Sequence, residues 1–429
     1  MAAAIQNADA LGATPLRRDA LAIAEAAYDA VDVGKAFARK VRFAGDELSI
    51  EGARWPLRGR RVYFVGVGKC AIAAAEAIEL LLGERLNGGI ALDVRGVAAG
   101  RLKKIETFVG THPRPSETNL AAAARIVELL ERCDEGDLVL MLISGGGSTL
   151  LCLHDAPMTC LDESMLFDAL TDKGASIQEL NTVRKHLSKA RGGWLAKAAY
   201  PAEAVALIIS DVPGNDLEFI ASGPTVKDIT TIADAQAVLA RFAVPEPPGG
   251  LLETPKDDRY FERVTNKLFL TNRDALGAMR IEAEARGYRA EVVSDCLHGE
   301  ARSLAEDMLE RLHGAERRTA FLAGGESTVT LPKGHGTGGR NQELALAALP
   351  GIRAGELLLP FASDGKDATE HAGAIADETT RDHARQRGAD IGPALARHTS
   401  YDFFKITGDA LVTGLLESNV SDLLLALKS

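Results

Sequence analysis

The sequence predicts an α/β protein of two domains, the first built on a parallel sheet. Three observations support this fold class. The chain has 429 residues, which is more than a single hydrophobic core usually holds. Apolar, strand-like runs alternate with helical runs rich in alanine and leucine along most of the chain. Several of the strand-like runs end in glycine-rich turns, and the repeated order of strand, turn and helix is typical of βαβ units.

Each predicted element rests on its own pattern of apolar residues. Short runs of aliphatic residues before a polar or glycine-rich turn predict buried strands, and longer amphipathic runs predict helices. In chain order the predicted elements are the strand Arg61–Val65, the helix Ala71–Leu82, the strand Gly89–Val94, the helix Leu120–Arg132, the strands Asp137–Ile143, Ala204–Ile209 and Leu268–Thr271, the helix Asp274–Arg286, and the strands Ala320–Leu322 and Leu357–Phe361.

A change of composition predicts the domain boundary. Four of the 16 prolines lie between Val244 and Pro255, together with Gly249 and Gly250. Such a stretch is unsuited to a helix interior or a central strand, so we expect a linker there. The predicted domains are residues 1–247 and residues 248–429.

Composition also excludes several classes of protein. The chain has 49 Lys and Arg against 60 Asp and Glu, so an acidic net charge of -11 argues against a nucleic-acid-binding or membrane-binding protein. The five cysteines are widely spaced and form no CxxC pair, which predicts neither a disulfide framework nor a zinc site. With neither a signal-peptide pattern nor a membrane-spanning run, we expect a cytoplasmic protein.

The turn after the first predicted strand, Gly66 to Ala71, allows two interpretations. It fits the dinucleotide pattern G-x-G-x-x-A, and Asp93 at the end of the next strand would bind a ribose hydroxyl. This interpretation favours an NAD-dependent oxidoreductase. In the other, Gly66, Gly68 and Lys69 bind phosphate at a helix N-terminus, where the free amides and the dipole favour an anion.

A second glycine cluster follows the predicted strand at Asp137–Ile143. Three consecutive glycines cost chain entropy and are rarely used only to turn the chain. They let backbone N–H groups converge on an anion, and the two flanking serines add hydroxyl donors. We therefore expect a phosphate-binding loop formed by Ser144, Gly145, Gly146, Gly147 and Ser148.

The most basic segment runs from Asn181 to Lys189. Arg184 and Lys185 lie in its predicted helix. Such a helix face is either solvated or a wall of cations around an acidic substrate or a triphosphate, and both interpretations stay open.

Polar residues also follow other predicted strands. Asp211 comes after the strand Ala204–Ile209 and Asp364 after the strand Leu357–Phe361, where a carboxylate binds Mg²⁺ or accepts the proton of an attacking hydroxyl. Glu326 follows a glycine pair after another strand. Arg340 begins a helix after a run of four glycines in six residues, and its planar guanidinium suits a carboxylate or a phosphate. Asn341 follows it at the helix start, where backbone amides are free.

Taken in order, these clusters resemble those of the glycerate 2-kinase family, a two-domain group whose C-terminal part is called MOFRL. The resemblance extends from about Gly66 to the C-terminus. Eight motifs in the family's order are more specific than any one of them. They are GVGKCA, GTHPRP, SGGGST, LNTVRKHLSKARGG, ISDVPGNDLEFIASGPT, TNRDA, GGESTVT and GTGGRNQELAL.

The resemblance implies a kinase that uses ATP and Mg²⁺ to phosphorylate the 2-hydroxyl of D-glycerate. It implies a Rossmann-like N-terminal domain, a smaller α/β C-terminal domain of MOFRL type, and an active site in the cleft between them. The family's functional lysine matches Lys69 and its functional arginine matches Arg340. Asp211 is a third catalytic candidate. Asn272 is expected to bind the nucleotide, whereas Arg184, Lys185, Glu326 and Asn341 are expected to bind the substrate, and Asp211 and Asp364 the metal.

Two segments depart from the family pattern. The family's S/T-D-G-x-D-G-P-T is here Ser363–Glu370, without the second glycine and the proline and with Lys366 added. Near the end, Thr413–Val420 lacks two of the family's threonines. A kinase for a longer sugar acid such as a tetronate is therefore an alternative, as is a reductase of the hydroxypyruvate type. The expected partners are a small hydroxy acid and ATP, and a homodimer stays open.

Overall fold

The structure, a computed structural model, describes residues 3–98 and 100–429 and divides the chain into two compact units. The first unit consists of Val33–Ser210 and Asn215–Phe269. The second unit consists of the residues up to Asp32, Asp211–Gly214 and Leu270–Ser429. Each unit is an α/β structure around its own sheet, as the sequence predicts.

The strands have the following bounds in the described part of the chain. They are β1 Val41–Ala44, β2 Glu47–Ile50, β3 Ala53–Pro56, β4 Val62–Val67, β5 Gly88–Asp93, β6 Ile105–Val109, β7 Leu138–Ile143, β8 Glu203–Ile209, β9 Val264–Leu270, β10 Arg289–Glu300, β11 Thr319–Thr328, β12 Glu356–Ala362, β13 Gly373–Ala374, β14 Ala376–Asp377, β15 Ala410–Leu411 and β16 Asp422–Lys428.

The α-helices of the same residues are mostly short. They are α1 Ala8–Leu11, α2 Pro15–Val31, α3 Val33–Lys40, α4 Ala71–Leu82, α5 Glu117–Glu131, α6 Gly147–Leu150, α7 Cys160–Asp172, α8 Ile177–Lys185, α9 Trp194–Ala199, α10 Ile232–Arg241, α11 Asn272–Ala285, α12 Ala301–Gly314, α13 Arg340–Ala348, α14 Glu378–Arg387, α15 Ile391–Arg397 and α16 Ser400–Thr407. In the part of the chain that the structure describes, no helix is both long enough and apolar enough to cross a membrane.

The main sheet of the first unit has six strands in the order β6-β5-β4-β7-β8-β9. The pairs β6/β5, β5/β4, β4/β7 and β7/β8 are parallel. All six residues of β7 are buried, as expected for a central strand with helices on both faces. The strand order reverses direction between β4 and β7, and in open α/β sheets ligands bind at the carboxyl ends of strands at such a point.

The main sheet of the second unit is mixed. Strand β16, close to the C-terminus, lies between β11 and β12 and is antiparallel to both. Strands β10 and β11 form a parallel pair on one side of it. The loops that follow β11 and β12 therefore lie at the same end of the strands as the start of β16.

The N-terminal residues belong to the second unit because a buried ion-pair network holds them there. The guanidinium of Arg17 on α2 lies 2.7 Å from carboxylate oxygens of both Asp377 and Asp409. Helix α2 also packs along α11. Since Arg17 is 1% exposed, its charge would be costly without these two partners.

The units do not coincide with the predicted ranges 1–247 and 248–429. The expected linker at Val244–Pro255 lies within the first unit, where the N–H of Leu252 donates to the carbonyl of His186 (2.8 Å). The hydroxyl of Thr254 donates to Asp228 (3.0 Å). The proline-rich composition correctly indicated an irregular segment. Its backbone and side chains are hydrogen-bonded within the first unit, however, and the last residue of that unit is Phe269.

Candidate active site

Two glycine-rich loops meet in the first unit because β4 and β7 are neighbours in the sheet. The N–H of Lys69, after β4, donates to the carbonyl of Gly145, after β7 (3.0 Å). The N–H of Cys70 donates to Ser144 Oγ (3.2 Å). Gly68 has a φ of 114° and packs so closely on Ser144 that any side chain there would collide with it. Glycine is therefore required at 68 for both reasons.

Gly146 and Gly147 of the second loop have different structural roles. Gly146 turns the chain with a φ of 83° and precedes α6. A Cβ on Gly146 would lie 3.4 Å from the ring of His112 and 3.5 Å from the side chain of Lys69, so its open face adjoins both. A Cβ on Gly147 would instead lie 2.6 Å from Ala221, so Gly147 serves close packing. Ser148 accepts a hydrogen bond from Ser222 (2.9 Å between the hydroxyl oxygens).

Positive charge converges on this loop. Burial lowers the pKa of His112, and the charges of Lys69 and Arg184 lower it further, so the ring stays neutral at neutral pH. Burial lowers the pKa of Arg184 to about 10, helped by the charge of Arg191, and Arg184 keeps its proton under the same conditions. Lys69 and Arg184 are therefore both cations close to His112.

Neither cation is neutralised by a neighbouring acid. Among residues 3–98 and 100–429, no carboxylate lies within ion-pair distance of the ammonium of Lys69 or the guanidinium of Arg184. The guanidinium instead stacks over the ring of Phe167, 4.4 Å from its centroid. Two unpaired cations beside a tight glycine turn give this region the positive charge that suits an anion.

The structure places two other candidates of this unit elsewhere. Lys185 is 3% exposed, and its ammonium pairs with Asp228 (3.1 Å) and Glu218 (3.3 Å). It has the surroundings of a buried structural ion pair, and we leave it out of the substrate site. Asp93 is 1% exposed and accepts from the N–H groups of Ile72 and Arg95 (3.1 Å each). It anchors the start of α4 and offers little to a ribose.

Arg340 is the centre of the second unit's site. It begins α13, and its terminal nitrogens donate to both oxygens of Glu326 on β11 (2.9 and 3.2 Å). Its Nε donates to Asp422 at the start of β16. Burial raises the pKa of Asp422 to about 7, opposed by the charge of Arg340 and reinforced by that of Asp367. Arg340 is thus paired with two carboxylates, unlike Lys69.

Asp367 caps the helix that Arg340 begins. Its two oxygens accept from the backbone N–H groups of Asn341 (3.1 Å) and Gln342 (2.8 Å). The side-chain amide of Asn341 donates to the same carboxylate (3.2 Å), so Asn341 positions Asp367. Burial raises the pKa of Asp367.

Sequence reasoning missed both Asp367 and Asp422. A signal was present for Asp367, because free amides at a helix start need an acceptor and an acid follows the neighbouring strand. Asp422 gave no signal, since it stands in an apolar run that predicts only a strand.

Three of the four glycines before α13 serve packing. A side chain at Gly336, Gly338 or Gly339 would collide with Thr399, Ser400 or Asp367, respectively. The loop therefore lies flat against the start of α16 and against the cap of α13. Close packing therefore accounts for these three glycines without a bound phosphate.

A cavity of about 530 Å³ opens beside these residues. Its lining includes Arg340, Asp422, Asp367, Lys366 and Ala368. Since Lys366, Asp367 and Ala368 stand in the segment that departs from the family pattern, the departure lies in the wall of the cavity.

The two departing segments are in contact with each other. A side chain at Gly365 would collide with the carbonyl of Gly414, and the N–H of Leu416 donates to the carbonyl of Asp364 (2.8 Å). Ala368, where the family has glycine, has a φ of 56°, so the backbone keeps a conformation that glycine would adopt without strain. The side chains have changed while the turn is retained.

The structure ties the two predicted metal ligands to one residue. Ser421 donates from its hydroxyl to the carbonyl of Asp211 (2.7 Å) and accepts at its own carbonyl from the N–H of Ser363, which precedes Asp364 (3.4 Å). Asn272 is buried, and its amide donates to the carbonyl of Asp295 (2.7 Å). A Cβ on Gly324 would lie 2.9 Å from that amide, so Asn272 fits against this glycine.

The chain is similar to known proteins over almost its whole length. A family model described as a domain of unknown function, DUF4147, matches residues 19–252, and the model of the MOFRL family matches residues 319–422. The glycerate 2-kinase of Pyrococcus horikoshii is 36% identical over 97% of this chain and 98% of its own. The chain belongs to the glycerate 2-kinase family.

A solved structure and a further relative are also similar to this chain. The crystal structure of glycerate kinase from Thermotoga maritima matches 96% of this chain and 99% of its own, with a TM-score of 0.86 and 32% identity. A protein of Agrobacterium vitis that is 39% identical over 85% of this chain and 86% of its own is provisionally named a hydroxypyruvate reductase. The similarity to glycerate 2-kinases confirms the resemblance inferred from the eight motifs.

Proposed function

We propose that the protein transfers a phosphoryl group from ATP to the 2-hydroxyl of D-glycerate or of a closely related hydroxy acid. One observation carries the proposal: Lys69 and Arg184 are unpaired cations beside the glycine loop of the first unit. The names of the glycerate kinases from archaea, bacteria and mammals support the same activity. A cytoplasmic location, which rests on the sequence alone, is part of the proposal.

Phosphoryl transfer needs alignment and charge neutralisation more than covalent chemistry. In this proposal the N–H groups near Gly146 and the ammonium of Lys69 bind phosphate oxygens of the nucleotide. Arg184 adds a second positive charge from α8, held in place by the ring of Phe167. The neutral ring of His112 excludes water from one side of the loop.

The second unit is proposed to bind the acceptor acid in the cavity beside Arg340. A guanidinium has five N–H donors, and Glu326 and Asp422 occupy three of those of Arg340. The remaining two can bind the acid's carboxylate. Asp422 is the proposed acceptor of the hydroxyl proton. Its pKa is about 7, and a general base is most effective when its pKa lies near the operating pH. It takes the catalytic role that the sequence suggested for Asp211.

Asp211 and Asp364 fit Mg²⁺ by their donor chemistry. Both residues are partly exposed, their backbone segments are hydrogen-bonded to Ser421, and carboxylate oxygens are preferred ligands of this hard cation. When bound, Mg²⁺ neutralises phosphate charge. The position of the active site in a cleft between the domains stays a prediction.

The acid's identity is the second part of the proposal. Lys366 and Ala368 in the cavity wall distinguish this chain from the family pattern, so a longer sugar acid such as a tetronate is the alternative acceptor. A reductase is disfavoured because the carboxylate of Asp93 is buried and bonded to backbone amides.

A product assay tests the proposal. Purified protein is mixed with Mg·ATP and D-glycerate, tetronates or D-lactate, and phosphorus NMR assigns the position of the new phosphate. We expect ADP together with an acid phosphorylated at its 2-hydroxyl. Oxidation of NADH by hydroxypyruvate without any phosphorylated product would favour the reductase instead.

A further inference from the structure

Three potential metal ligands that have no part in the proposed catalysis converge in the first unit. They are Cys152 and His154, in the loop after α6, and Cys160, the first residue of α7. Their ligand atoms all lie within 4.8 Å of one another. The sequence predicted no zinc site, because the spacing C-x-H-x₅-C contains no CxxC pair, so the fold alone reveals this cluster.

Two of the three separations between the ligand atoms fit a tetrahedral ion. Cys152 Sγ lies 3.7 Å from Cys160 Sγ and 3.4 Å from His154 Nε2. With Zn–S bonds of about 2.3 Å and Zn–N bonds of about 2.0–2.1 Å, the edges of a tetrahedron are about 3.8 Å between two sulfurs and about 3.5 Å between sulfur and nitrogen. Both separations are within about 0.2 Å of these edges, and the third, between Cys160 Sγ and the ring of His154, is at most 4.8 Å.

The surroundings leave the three side chains poorly satisfied by the protein. Cys152 is 0%, Cys160 6% and His154 7% exposed. His154 Nδ1 is buried without a hydrogen-bond partner among the described residues, and its Nε2 faces only the sulfur of Cys152. A buried imidazole with so little hydrogen bonding costs free energy unless a stronger interaction compensates for it.

Charge balance favours a divalent ion. Two thiolates and a neutral imidazole would give a dication a net charge of zero, which suits a buried position. Burial raises the pKa of both thiols, so a metal has to displace their protons. Glu163 lies close enough for its charge to act on both thiols, and its Oε2 has no hydrogen-bond partner in the described chain.

We propose that Cys152, His154 and Cys160 form a binding site for a zinc-like divalent cation, with a carboxylate or water as the fourth ligand. Two soft sulfurs and an imidazole select Zn²⁺ over Mg²⁺, which prefers six oxygens. The site is structural: it joins the loop after the phosphate-binding glycines to the first turn of α7. It does not depend on the proposed kinase activity.

Metal binding to the full chain tests the site. Protein freed of metal with a chelator and kept reduced is titrated with Zn²⁺ and with Co²⁺. We expect about one ion per chain, release of about two protons, a thiolate-to-cobalt charge-transfer band and a higher melting temperature with zinc. In wild type, absence of that band with all thiols reduced would overturn the proposal.

Variants locate the binding. Cys152→Ser and Cys160→Ser should each weaken zinc binding by at least about 10-fold, as expected when a ligand is lost. Cys133→Ser and Cys296→Ser, which change cysteines outside the cluster, should bind as wild type does. Equal zinc binding by wild type and the Cys152→Ser variant would also overturn the proposal. Since the cobalt spectrum is measured on wild type, the test stands even if a variant fails to fold.

Discussion

Each unit has a glycine-rich loop beside a cation, and the two loops differ in what surrounds that cation. Lys69 of the first unit has no carboxylate within ion-pair distance in the described chain, whereas Arg340 of the second unit is held by Glu326 and Asp422. An unpaired cation is available for a phosphate. A guanidinium that is paired with two acids is held in position by them and can bind a ligand only with its remaining N–H donors.

The glycines of the two loops differ in the same way. Gly146 has an open face that adjoins Lys69 and His112, while Gly338 and Gly339 are pressed against Ser400 and Asp367. In the first loop the missing side chain leaves room for a ligand, and in the second it leaves room for the protein itself. The comparison teaches that a glycine-rich run does not by itself predict a phosphate site, because glycines also serve close packing within the protein.

The largest expected effect follows from removing the unpaired cation. Lys69→Ala should lower kcat by roughly 100-fold or more, because transition-state charge loses its partner. Steady-state kinetics measure it, and circular dichroism checks the fold. Lys103→Ala, which changes an exposed lysine of the same unit, is the control. A kcat close to that of wild type would remove Lys69 from the catalytic site.

The open face of Gly146 gives a second test. Gly146→Val should weaken ATP binding by roughly 10-fold or more, because the branched side chain fills the space where a phosphate approaches the backbone. Gly174→Val is a matched control: Gly174 has a φ of 82°, against 83° for Gly146, but nothing lies within 4 Å of its Cβ position. Both variants carry the same backbone strain. Equal loss of affinity in both would attribute the effect to strain alone.

The smallest expected effect is on the pH dependence of stability and concerns Asp422, which is paired with Arg340. The pKa of Asp422 rises from 3.8 to about 7 on folding, so the folded state holds this proton more tightly than the unfolded state. Its contribution to stability therefore falls as pH rises through this window, by on the order of 1 kcal/mol per pH unit. Asp422→Asn should flatten that dependence in urea unfolding, whereas Asp382→Asn, at an exposed pair, should not. Parallel pH profiles for wild type and Asp422→Asn would contradict the assignment.

Sequence predicted the first unit's sheet well. The predicted helix Ala71–Leu82 matches α4 residue for residue, and the strand at Asp137–Ile143 differs from β7 by one residue. Both are long, strongly patterned and followed by glycine turns. The small sheet β1–β3, with strands of four residues each, escaped prediction because short alternating segments resemble loops.

The site was predicted in part, for a physical reason. Lys69 and the glycine loop stand at strand ends that are neighbours in the sheet, which local pattern can indicate. Lys185 was expected to bind the substrate because its partners, the buried Asp228 and the half-buried Glu218, lie more than thirty residues away in the chain. Pairing of distant charges and convergence of distant ligands depend on tertiary structure, and the sequence alone does not display them.

One measurement tests the central claim most directly: calorimetric titration with ATP. It is carried out on Lys69→Ala and Arg340→Lys, with wild type and the surface variant Arg385→Lys as controls. The account predicts that Lys69→Ala loses roughly 10-fold or more in ATP affinity, the scale of one charged hydrogen bond. Arg340→Lys should bind ATP nearly as wild type does and lose affinity for the acid. If Arg340→Lys loses ATP binding while Lys69→Ala retains it, the phosphate site lies in the second unit and the account is contradicted.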